Sequence, residues 1–255
     1  MKSLDREKVK SSFASYTDDY NSKDPKIKLK IDHTYRVAAL CERIAMTVPG
    51  VDTDLSWLSG MLHDIGRFEQ VKRYNTFKDS ESVDHASFGA DLLFKENLLS
   101  SFGDYENIEK DILEVAIRNH NKFIIDKDVP PEYQPYCNIL RDADKIDILR
   151  VNIDTPPEEI YNVSTEELLR SEVTEAVKKG FLEGHAILRS ERKTAADILV
   201  GHVSMIQELV YPESTLIVKE QGYIEKLLEF RSENEDTMKW FEVMKKTLRE
   251  RGFLR

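Results

Sequence analysis

Apolar residues recur along this chain at i, i+3, i+4 and i+7 in most windows, and the period-two alternation of strands is hard to find. That spacing puts the apolar side chains on one face of a helix. It predicts helices at about 4–20, 25–47, 53–72, 84–98, 106–120, 135–151, 164–180, 191–210, 213–231 and 234–250. The fold class expected is therefore all-α. Stop signals agree: Pro49-Gly50 closes the second helix, Asp52 or Thr53 caps the third, and Asp84 caps the fourth. The segment VPPEYQPY (129–136) reads as a loop, because proline breaks a helix interior. Thr155-Pro156-Pro157 is a second break. Past about residue 152 the helices become more charged and carry no motif. The organisation expected is an N-terminal helix (1–24), a helical core (25–152), and a helical extension (153–255) packed on that core.

Composition narrows the class. With 40% hydrophobic and 33% charged residues in 255, the chain fits an ordinary soluble globular protein with a substantial core. No apolar run approaches the roughly 18 residues of a membrane span, and the start MKSLDREKVKSSF has no apolar core of a signal peptide. The expected location is cytoplasmic, with no membrane partner; an oligomer is left open. A net charge of −10 argues against broad, sequence-independent binding of DNA or RNA, which needs a positive surface. A small anionic substrate needs only a few local cations. Cys41 and Cys137 lack CxxC spacing and suit neither a disulfide framework nor a structural zinc site; Cys41, in VAALCERIA, reads as a small buried hydrophobe.

The chemistry concentrates between residues 25 and 150. His33 opens IDHTYRVAAL, His63 and Asp64 are adjacent in GMLHDIGRF, His85 lies in SVDHASFGADLL, His120 ends a helix in AIRNHNK, and Asp144 lies in ILRDADKIDILR. Imidazole and carboxylate together suit a divalent transition metal (Fe, Mn, Ni, Co or Zn), whereas Mg and Ca prefer oxygen-only shells. Side chains on separate helices can point into one bundle interior. Neighbours on a helix diverge by about 100°. His63 and Asp64 therefore converge only if the helix ends nearby, which Gly66 would allow, or if Asp64 reaches a second ion. A carboxylate has two oxygens, so Asp64 can bridge two ions about 3.5–4 Å apart.

These segments resemble the HD-domain superfamily of metal-dependent phosphohydrolases. HTYRVA (33–38) is similar to the family's first helix, LHDIGR (62–67) to its LHDIGK signature, and RDADKID (141–147) to its closing aspartate motif. The resemblance covers about residues 28–150 and implies an HD-domain helical bundle with a C-terminal helical extension. It implies that Asp144, rather than Asp142 or Asp147, is the closing ligand. By the same analogy His33, His63 and Asp144 hold one ion, His85 and His120 a second, and Asp64 bridges. The activity implied is hydrolysis of a phosphoester in a nucleotide or other small metabolite by metal-activated water. Asp64, Arg67 and Lys145 are the catalytic candidates, and Arg36, Arg67 and Lys145 the substrate-binding ones. Arg67 stands where the family often has lysine. Two other functions are open: a di-iron oxygenase of the same superfamily, and a non-catalytic nucleotide-binding regulator. There is no Gly-Tyr-Pro motif of the cyclic-dinucleotide branch and no attached synthetase-like region.

The remaining singular residues have plainer readings. His185 reads as a surface histidine and His202 as a satisfied core one. Trp57 belongs to the core, and the run Glu220–Arg231 reads as a solvated amphipathic helix.

Overall fold

The computed structural model describes residues 4–21, 23–103, 109–160 and 163–255, and among them there is no strand. The chain divides into two units, Met1–Asp144 and Lys145–Arg255.

The first unit starts with α1 (Arg6–Asp18) and α2 (Pro25–Ala45). Asp24 caps α2 by accepting from Lys26 N, and Pro25 takes the first turn, where its missing N–H is harmless. Next come α3 (Thr53–Leu62) and α4 (Ile65–Tyr74). The helix expected over 53–72 is thus two, parted at His63-Asp64. A helix does end nearby, at Leu62, but Gly66, offered as the residue that would allow that ending, lies inside α4. Its reason is packing: a Cβ at residue 66 would sit 2.4 Å from the carbonyl oxygen of His85 and 2.7 Å from Gly89 N. Gly60 plays the same part between α3 and α2, where a Cβ would meet Ala38 Cα at 2.6 Å.

The expected helix 84–98 is α5 (His85–Ala90) followed by one wide π turn, Asp91–Lys95. Two further helices follow, α6 (Leu99–Phe102) and α7 (Lys110–Asn119); residues 106–108 of the expected helix 106–120 lie outside the described residues. The next, α8 (Gln134–Asp154), contains the boundary between the units. Its start corrects the loop expected over 129–136: Pro135 falls in the first turn, which tolerates proline, while Pro130 and Pro131 precede the helix.

The core of the first unit is apolar and aromatic. On α1, Phe13 packs edge-on to Phe68 of α4 (5.9 Å between centroids) and to Tyr35 of α2 (5.4 Å), and Tyr16 and Tyr20 flank the same Phe68. Tyr16 donates to Ile65 O and Tyr20 to Glu69, so both phenols find acceptors on α4. Cys41 and Trp57 are buried as expected.

In the second unit, α9 (Pro157–Ile160), α10 (Thr165–Arg170) and α11 (Glu175–Glu183) precede α12 (Ala195–Ser204), α13 (Pro212–Gln221), α14 (Tyr223–Leu228) and α15 (Glu235–Glu250). The helix expected over 213–231 breaks at Gly222, whose φ of +67° few other residues adopt. Thr194 and Asp197 form a reciprocal capping box at the start of α12. His202 is half-buried rather than in the core, though satisfied by Asn152 Oδ1 at 2.8 Å, and His185 is exposed, in line with its plain reading.

Candidate metal centre

The break between α3 and α4 lets two adjacent residues face one point. His63 keeps helical angles, but Asp64 turns to φ −102°, ψ 15° before α4 begins. His63 Nε2 and Asp64 Oδ2 then lie 3.5 Å apart. His33 reaches the same point from α2, with its Nε2 3.3 Å from His63 Nε2 and 3.7 Å from Asp64 Oδ2. Asp144 Oδ1 is 3.1 Å from His33 Nε2 and 4.0 Å from His63 Nε2. On the other side of Asp64, Oδ1 lies 3.4 Å from His85 Nε2 and 3.8 Å from His120 Nε2, and those two nitrogens are 3.0 Å apart. All six expected ligands therefore meet. Two groups, His33-His63-Asp64 and Asp64-His85-His120, have donor atoms close enough to hold an ion, and they share Asp64.

The hydrogen bonds of the rings show why a cation fits. His63 Nδ1 donates to Gly60 O at 2.8 Å, His120 Nδ1 to Ile117 O at 2.7 Å, and His85 Nδ1 to the Asp79 carboxylate at 2.7 Å. Each acceptor fixes the proton on Nδ1, so in the neutral ring Nε2 carries only a lone pair. Burial pushes His63 down to about 3 and His85 down to about 4, so both are neutral at ordinary pH. Lone pairs converging with carboxylate oxygens repel one another, and a divalent ion removes the repulsion. Burial opposes ionisation of Asp64, but the Lys30 ammonium, ahead of the nearby imidazoles, holds its carboxyl well below the usual range. Burial likewise opposes ionisation of Asp144, and the hydrogen bond and charge of His33 outweigh it.

The expected cations are placed differently from one another. Arg67 is buried, 7% exposed; its Nη1 donates to Asp79 Oδ1 (2.7 Å), Phe77 O (2.6 Å) and Gln70 Oε1 (2.9 Å), and its Nε lies 3.7 Å from Asp64 Oδ1. Arg36 is half-buried, one turn beyond His33 on α2. Lys145 pairs with Glu208 at 3.4 Å within the second unit. Arg141, in the closing motif, holds the segment on both sides of His120 by donating to Asn119 O, Lys122 O and Phe123 O.

Two residues at the centre escape the sequence reading. Lys30 Nζ is 2.6 Å from Asp64 Oδ2, and Asp79 carries both His85 and Arg67. Lys30 had a signal, since it precedes His33 by three and so shares its helix face. Asp79 lies outside the periodic segments and had none.

Residues 31–149 match the family model of the HD domain. No curated protein and no solved structure matches the chain. No helix among the described residues is long and apolar enough to cross a membrane.

Proposed function

We propose that the protein is a metal-dependent phosphohydrolase that cleaves a phosphoester of a nucleotide or small metabolite with water. His33, His63 and Asp144 hold one divalent transition-metal ion, His85 and His120 hold another, and Asp64 lies between them. The observation that carries this reading is the division of one carboxylate: Asp64 turns Oδ2 to His33 and His63, and Oδ1 to His85 and His120. Bound divalent ions supply hydroxide near neutral pH and positive charge for the phosphoryl oxygens. Arg36 is the cation assigned to substrate phosphate. Arg67, whose contacts lie inside the protein, becomes a positioning residue that steadies Asp64 and Asp79. Lys30 holds Oδ2 of Asp64. Lys145 is committed to Glu208 and receives no substrate role.

The test is metal analysis of protein purified without chelator, followed by a phosphate-release screen on phosphorylated metabolites with Mn²⁺ under anaerobic conditions. His63→Ala and Asp64→Ala lose both metal and hydrolysis. Full activity in either purified variant rejects the assignment, and iron-dependent O₂ uptake without phosphate release replaces it with oxygenation.

A further inference from the structure

We propose that Asp79 is a positioning residue that sets the affinity of the His85-His120-Asp64 half of the centre for its ion; the proposal rests on the two-ion reading above. Three imidazoles of the centre have a described acceptor at Nδ1, and they are not alike. His63 and His120 donate to backbone carbonyls three residues back, at Gly60 and Ile117. His85 donates to a carboxylate, Asp79 Oδ2, at 2.7 Å. A carboxylate behind an imidazole pins the ring and makes its far nitrogen a stronger donor than a carbonyl does.

The carboxylate is itself held. Asp79 Oδ1 accepts from Arg67 Nη1 at 2.7 Å and from Gln70 Nε2 at 3.0 Å, while Gln70 also donates to Ser82 Oγ and Val83 O. Burial opposes its ionisation, but the hydrogen bond and charge of His85, together with Arg67, keep its carboxyl well below the usual range. The same Arg67 reaches Asp64 Oδ1, the oxygen turned to His85 and His120. Asp79 thus fixes one ligand directly and shares a cation with another, both in the same half. Among the described contacts, none reaches from Asp79 to the His33-His63-Asp144 half. An asparagine at 79 would present an amide N–H₂ either to His85 Nδ1–H or to Arg67, donor against donor.

The experiment strips the full-length protein of metal and titrates it with Co²⁺, following visible absorption and ions bound per chain. Wild type takes up two ions. Asp79→Asn weakens the second uptake step by about tenfold to a hundredfold and leaves the first within about twofold. Ser82→Ala, which removes two side-chain hydrogen bonds of the same loop, to Gln70 Nε2 and Lys78 O, and none made by the side chains of Asp79 or His85, leaves both steps as in wild type. An unchanged second step in Asp79→Asn overturns the role of Asp79 while leaving the two-ion reading in place, and so does an equal loss in Ser82→Ala. Wild type that binds a single ion or none overturns both. Should Asp79→Asn fail to fold, the ¹⁵N shifts of His85 in metal-free wild type decide: a proton on Nδ1 supports the proposal, and a proton on Nε2 overturns it.

Discussion

Lys30 Nζ lies 2.6 Å from Oδ2 of Asp64, a carboxylate only 3% exposed. The lysine stem runs along α2 from three residues before His33, so one helix supplies both a ligand and the counter-charge of its neighbour. With no ion bound, this ammonium is the nearest full positive charge to Asp64. Lys30→Met leaves that carboxylate only the more distant Arg67 guanidinium, at 3.7 Å, as counter-charge, and metal-free protein should lose about 2 kcal/mol. Added Mn²⁺ should close most of the gap to wild type. Thermal melts with and without chelator check it; equal deficits in both conditions would refute the pairing.

Chelation should destabilise the wild type as well. The ion binds the folded chain and not the unfolded one, so removing metal held at a thousand times its Kd lowers stability by about 4 kcal/mol. The same chelator should leave the melt of Asp64→Ala almost unmoved, because that variant has no bridge to lose.

Gly66→Ala should be among the most damaging single changes near the centre. The added methyl meets backbone on both α5 contacts, at His85 O and Gly89 N, and neither can swing aside like a side chain. We expect a loss on the order of 2–4 kcal/mol and weakened metal uptake, since α5 begins with His85. Denaturant midpoints and metal content measure the two effects.

His202 gives a pH-dependent prediction away from the metal. Burial, with Arg192 and Arg189 adding to it, pushes the folded imidazole down to about 3 from an ordinary 6.5. The unfolded chain therefore takes up a proton below about 6.5 that the folded chain refuses until about 3. Stability is full above that window and falls as pH drops through it. Between pH 7 and 4.5, His202→Gln should lose about 2 kcal/mol less than wild type in urea titrations. Parallel pH curves for the two proteins would show that the ring is not kept neutral by the fold.

The six ligands were legible because each lies beside a periodic helical run, where an imidazole or carboxylate among apolar residues stands out. The all-α class followed from the same periodicity. Interruptions of the helices were harder to read. The parting at His63-Asp64, the start of α8 at Gln134 and the split at Gly222 depend on tertiary contacts, first-turn tolerance and a glycine's left-handed backbone, none of which a 3.6-residue period registers. Gly66 shows the limit well: a glycine near a helix end suggests a terminus, yet here it serves the touch of two backbones. Arg67 resembled a phosphate cation by position, but Asp79, twelve residues away at the start of a single 3-10 turn, claims its guanidinium. Asp84 has a helix-capping signal, but nothing local separates Asp79 from Glu81 in the same stretch.

The aromatic clasp of α1 on Phe68 has a practical consequence for anyone trimming the gene. A fragment beginning at residue 25 would keep every ligand yet strip away Phe13, Tyr16 and Tyr20, laying bare a greasy ring four positions after Asp64. Such a fragment would clump in the test tube and be mistaken for an inert domain, when the fault lay in the scissors.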